Sequence, residues 1–196
     1  MIVIPPAPPL VSAAASEAAT VSCATTNAFA GMAFDTSTNT LYGTTTAAGF
    51  LVSIDTGTAA ATTIGQYADA AISRFVTGLA YDPITDTLYG MGNDNGFNND
   101  LLITLDRTTG AGTSVGFLGT LGSIALAYDL TSNELFTIDN NTNLLHTIDG
   151  STGAILNSVA SVQTHGLASS AVVAEPATLA VFVMALLGLG FSRRFV

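Results

Sequence analysis

The chain has 196 residues, a length that suits one ordinary domain with short terminal segments. Its 14 acidic residues face 4 arginines and no lysine, a formal charge of −10, which argues against a nucleic-acid partner because phosphate recognition depends on cationic side chains. Only 9% of residues are charged and 48% are hydrophobic, so there is ample apolar material to bury and the composition is not that of a disordered chain. The single cysteine, Cys23, excludes an intramolecular disulfide and a cysteine cluster for zinc.

Residues 1–19 read as a disordered lead or the remnant of a signal peptide. Met1 to Leu10 has no basic residue, and Pro5, Pro6, Pro8 and Pro9 interrupt any apolar helix. A secretory signal has a basic start followed by about 7–15 apolar residues. The small residues Ser12 to Ala15 suit a cleavage region, so the expectation is a true signal upstream of Met1.

Residues 20–172 form the body, opened by a strand over 19–25 and then by a threefold repeat. Gly31-Met-Ala-Phe-Asp35 matches Gly78-Leu-Ala-Tyr-Asp82 and Ala125-Leu-Ala-Tyr-Asp129 at steps of 47 residues. Asn39, Asp86 and Asn133 follow four residues after each aspartate, and then come Leu41-Tyr42, Leu88-Tyr89 and Leu135-Phe136. A second series runs through Asp55, Asp106 and Asp149, each followed by a Thr-Gly pair ending at Gly57, Gly110 and Gly153. Its steps of 51 and 43 imply loops of variable length.

Each repeat, near 29–75, 76–122 and 123–161, resolves into four short strands. In the second they are Phe75 to Asp82, Thr87 to Met91, Leu101 to Asp106 and Gly112 to Leu118, rich in β-branched and aromatic residues and bounded by Asp, Asn, Gly and Pro. The Asp-x-x-x-Asn/Asp segments are turns with a mechanism. The first carboxylate accepts from backbone N–H groups two residues on, and Asn or Asp tolerates positive φ. Four-stranded units at this period predict an all-β, propeller-like domain of three to four blades, either a closed set or an incomplete one. The repeats resemble the YVTN-like and quinoprotein-like β-propeller families. A fourth opening strand is expected over Gln163-Thr-His-Gly166-Leu-Ala168, and open first and last edges would favour self-association.

No catalytic residue, cofactor or metal site is expected. Asp35, Asp82 and Asp129 read as turn formers rather than a cation-binding ring. The loop from Gly92 to Asp100 offers one calcium candidate, Asp94, Asn98 and Asp100, because calcium takes hard oxygen ligands along a flexible loop. It lacks the EF-hand ligand order, and a long polar hairpin is the competing reading. His146 on a predicted strand and His165 before Gly166 have no Glu or Cys partner nearby in sequence. No G-x-S-x-G, Walker-type or dinucleotide glycine pattern occurs.

Residues 173–196 differ from everything before them. Ala174-Glu175-Pro176 precedes an uncharged apolar run from Ala177 to Phe191, which includes Leu179, Phe182, Leu186, Leu187 and Leu189, and Arg193-Arg194 follow. As a helix the run is apolar on every side and about 22 Å long, somewhat short of a hydrocarbon core of about 30 Å. Snorkelling arginines and local thinning make up the difference, so a transmembrane helix with its arginines cytoplasmic is predicted. The three parts in this order resemble the PEP-CTERM sorting signal. The resemblance implies export in a Gram-negative bacterium, transient residence in the inner membrane, and an exosortase acting near Ala174, Glu175 and Pro176. Ala174 stands where the family has its first proline.

These readings converge on a non-enzymatic, exported protein that reaches the cell surface or extracellular matrix, where its body binds exopolysaccharide or another protein. Without the tail the chain keeps 13 acidic residues against 2 arginines, which suits solubility outside the cell. The alternatives are a propeller enzyme, either a lactonase-like hydrolase or a quinone-dependent dehydrogenase, and a fragment of a longer propeller gene.

Overall fold

The computed structural model describes residues 28–46, 48–161 and 166–167. The described residues are all-β, and their twelve strands form three four-stranded antiparallel sheets, here called blades. Blade 1 comprises β1 (Phe29–Asp35), β2 (Thr40–Thr45), β3 (Phe50–Ile54) and β4 (Ala61–Gln66). Blade 2 comprises β5 (Gly78–Asp82), β6 (Thr87–Asn93), β7 (Asp100–Leu105) and β8 (Gly112–Phe117). Blade 3 comprises β9 (Ser123–Asp129), β10 (Glu134–Asp139), β11 (Leu144–Ile148) and β12 (Ile155–Ala160). Strands follow one another within each blade, and the first strands β1, β5 and β9 lie side by side, so the blades radiate from a shared inner edge.

The hairpins form where the sequence places their turn residues. Asp35, Asp82 and Asp129 each end a first strand and accept the N–H two residues on, from Ser37, Ile84 and Thr131, at 2.8, 2.8 and 3.0 Å. Asn39, Asp86 and Asn133 then adopt φ of 56°, 57° and 59°, a left-handed conformation that Asn and Asp tolerate. The same device closes the β10–β11 hairpin, where Asp139 accepts from Asn141 N and Asn143 has φ 56°.

Some expected details differ. The first strand of blade 2 starts at Gly78, not Phe75, because Val76 turns into the core while Phe75 packs its ring 5.6 Å from that of Phe97. In the outer hairpin of blade 1 the left-handed residue is Ala59 (φ 58°), the counterpart of Gly110 and Gly153, whereas Gly57 donates its N–H to Asp55. What matters there is the distance from the aspartate, not the Thr-Gly pair.

The core lies between blades. Leu51 and Tyr42 of blade 1 pack on Leu79, Leu88, Ile103 and Leu105 of blade 2. Ala80, Met91 and Leu102 of blade 2 pack on Leu126, Leu135 and Ile148 of blade 3. Burying each such Leu or Ile contributes about 1.5–3 kcal/mol. Glycines allow the blades to close up. A Cβ on Gly78 would lie 2.6 Å from Leu126 N at the inner edge, and one on Gly65 or Gly116 would lie 1.8 or 1.9 Å from the carbonyl of Thr109 or Thr152 at the outer rim. Only glycine permits that approach.

No helix among the described residues is long and apolar enough to cross a membrane. The lead over 1–19, the strand over 19–25, Cys23, His165 and the whole of 173–196 lie outside the described residues.

Candidate functional site

The inner strands surround a cavity of about 320 Å³. Its wall is largely apolar, with Met32 and Phe34 from β1, Leu79 and Tyr81 from β5, Leu126 and Tyr128 from β9, and Leu130 and Leu167 beyond. Met32 and Phe34 are 60% and 44% exposed, although their counterparts in blades 2 and 3 are buried. The reason is positional. Leu79 and Tyr81 face blade 1, Leu126 and Tyr128 face blade 2, and no sheet among the described residues stands in front of blade 1.

Tyr81 connects this cavity to a polar cluster at the junction of blades 1 and 2. Its hydroxyl donates to Asp86 Oδ1 at 2.6 Å and lies 3.0 Å from Ser37 Oγ, and the Arg107 guanidinium sits 5.3 Å from its ring centre. Arg107 pairs with Asp35 of blade 1 and, at 2.6 Å, with Asp86 of its own blade. Asp35 is fully buried. Burial opposes its ionised form, but hydrogen bonds from the side chains and N–H groups of Ser37 and Thr38 outweigh that and hold the carboxyl well below its ordinary range. At the next junction, burial and the neighbouring Asp82 push the Tyr128 phenol up to about 12, while Tyr128 donates to Asn133. Arg107 and Asp35 tie blade 2 to blade 1, and Arg107 stands outside the repeat pattern, its counterpart in blade 3 being Gly150.

The repeated aspartates do not converge on a common point. Asp82 is held below the ordinary carboxylate range because hydrogen bonds from Thr85 and Ile84 outweigh the opposing effect of burial, and Asp129 is lowered by Thr131 and Ser132. In the outer hairpins, hydrogen bonds from Thr108 and Thr109 bring Asp106 down to about 2.

The calcium candidates occupy the β6–β7 hairpin and serve separate structures. Asp94 Oδ1 accepts from Asn98 N at 2.7 Å inside the loop. Asp100, fully buried, turns toward the β8–β9 connection and accepts from Thr120 Oγ1 and Ser123 N, both at 2.9 Å, and from Asn93 Nδ2 at 3.0 Å. It is a latch between blades 2 and 3, a role the repeat pattern does not announce. Among the described residues no three of His, Cys, Asp and Glu come together in a way that could hold a metal ion. His146 lies on β11, the strand expected for it, and is buried there, with Nδ1 2.8 Å from Ser158 Oγ and Nε2 4.0 Å from Asp139.

Three radiating four-stranded sheets with a shared inner edge give the described residues a β-propeller-like fold. No protein-family model matches the sequence. No curated protein matches it either. Solved structures with a similar fold include a hydrazine synthase from Kuenenia stuttgartiensis, at TM-score 0.50 and 12% identity over 70% of this chain and 37% of that one. Another is a PQQ-bound aldose sugar dehydrogenase from Streptomyces coelicolor, at TM-score 0.48 and 15% identity over 65% of this chain and 46% of that one. A Bacteroides thetaiotaomicron protein of unknown function gives TM-score 0.49 and 18% identity over 63% of this chain and 31% of that one. The chain thus spans between about a third and a half of the length of these structures, and at such identities the likeness is one of fold.

Proposed function

We propose that the chain is an exported, non-enzymatic binding scaffold: a propeller-type body carried to the cell surface or extracellular matrix by a PEP-CTERM-like segment over 173–196, processed by an exosortase at the inner membrane. The observation that carries the scaffold reading is where the carboxylates go. The repeated aspartates of all three blades are turned back into their own hairpins, and the wall of the central cavity is made chiefly of Met, Phe, Leu and Tyr side chains. Acid–base or metal-assisted chemistry needs polar groups that project into a shared space. The export reading is supported by the order of Glu175-Pro176, the apolar run and Arg193-Arg194. An exopolysaccharide or another protein would be the bound partner.

Intact-mass measurement of the secreted protein, in one host with an exosortase and one without, tests this. The expected result is a species shortened near Glu175-Pro176 only in the first host. A mass identical in both hosts, with residues 177–196 retained, would remove the sorting claim. Screening of the same protein for hydrolase and dehydrogenase turnover tests the scaffold half, and turnover would replace it with the enzyme reading.

A further inference from the structure

The position that lines the cavity occurs four times in the sequence. Met32, Leu79 and Leu126 are the middle residues of Gly31-Met-Ala33, Gly78-Leu-Ala80 and Ala125-Leu-Ala127, and Leu167 is the middle residue of Gly166-Leu-Ala168, 41 residues after the third. All four side chains line the same central cavity. We infer that Gly166 and Leu167 occupy a fourth inner-strand position, and that this chain closes its own central axis rather than borrowing a blade from a second copy. The inference concerns how the body is completed and does not depend on how the protein is exported.

The outer rim supplies an independent argument. Leu51 pairs with Gly65 in blade 1, Leu102 with Gly116 in blade 2, and Leu145 with Val159 in blade 3. Each of the two glycines lies against the outer loop of the following blade, at Thr109-Gly110 and Thr152-Gly153. Blade 3 carries valine at this position, 48% exposed, and blade 1 carries Ala59 where the receiving loop elsewhere has glycine. A second copy docked head to tail in the geometry of blades 2 and 3 would drive the Val159 side chain into the Thr58-Ala59 backbone. At the internal contacts a Cβ added to Gly65 or Gly116 would lie only 1.8–1.9 Å from the corresponding carbonyl. Overlap of that size forces the blades apart. The two outermost rims among the described residues are therefore mismatched to one another, while the inner positions match.

Proximity of Leu167 to the inner edge of blade 1 is the direct test. In a Cys23→Ser background, Met32→Cys and Leu167→Cys are combined in the full chain and treated with dibromobimane, which bridges two nearby thiols and becomes fluorescent on doing so. The expected product is a fluorescent single chain whose yield does not change on hundredfold dilution and disappears when the protein is denatured before treatment. A product linking two chains, or no bridging in the folded protein, would overturn the inference. Leu167→Asp and Leu167→Met give a second readout. The first is expected to lower the unfolding midpoint by several degrees and the second to leave it in place, whereas equal midpoints for both would count against a packed fourth position.

Discussion

The junctions between blades and the two outermost faces of the described residues are built from the same repeat, yet they differ at a few positions. Where one blade presses on the next, the chain has glycine at 65, 78, 110, 116 and 153, and backbone meets backbone. At the ends, Val159 and Ala59 stand at the corresponding rim positions and Met32 and Phe34 are exposed. The strand order and the first hairpins are equivalent in the three blades. Hairpin aspartates recur in every blade, whereas the rim positions carry glycine where two described blades meet and a side chain where no described blade sits against them.

Transplanting the end residue into the middle should break that contrast most strongly. Gly116→Val places a Cβ 1.9 Å from the Thr152 carbonyl, and a loss of about 3 kcal/mol is expected, roughly 6–12 °C in midpoint. Val159→Gly should stay within about 1 kcal/mol of the parent. Similar losses for both, measured by thermal unfolding, would show that rim volume does not distinguish the two places.

Asp100→Ala comes next. It strips an acceptor from Ser123 N, Thr120 and Asn93 at a buried site, at a cost of about 2–3 kcal/mol, while Asp94→Ala in the exposed loop should cost about 1 kcal/mol or less. Added calcium should leave the midpoint of the parent unchanged. A rise would restore Asp94, Asn98 and Asp100 as a ligand set.

A third prediction concerns acid. Asp35, Asp82 and Asp106 bind their protons less readily in the folded chain than an ordinary carboxyl does. Their contribution is therefore complete above the ordinary carboxyl range and is lost as pH falls through and below about 4. Urea titrations should give constant stability from about pH 5 to 8 and a decline below about pH 4. Stability that rises on acidification would contradict the assigned hydrogen bonds. The smallest effect is expected at Ala59→Gly, which relieves a left-handed alanine and should stabilise the chain by about 0.5–1 kcal/mol.

Much of this arrangement is legible in the sequence. The 47-residue step through Asp35, Asp82 and Asp129 marks the first hairpins because the turn needs a short acceptor followed by a residue tolerant of positive φ. Gly65 and Gly116 were within reach, since they are separated by the same 51 residues as Asp55 and Asp106, but a periodic glycine does not say what presses on it. Asp100 and Arg107 escape the pattern because each acts across a junction and neither recurs in the other blades. The cavity belongs to the tertiary fold. Its wall is assembled from residues 47 positions apart, and only the radial packing of the blades reveals that Met32, Leu79 and Leu126 share it.

The molar mass of the full chain in mild detergent, by light scattering with the detergent contribution subtracted and over a wide range of concentrations, tests most directly whether the body is completed within one chain. The mass of a single chain at every concentration is the predicted result. A stable double mass that reverts to a single one on placing a bulky residue at Ala59 or Val159 would show that two copies build the ring, and would contradict the account.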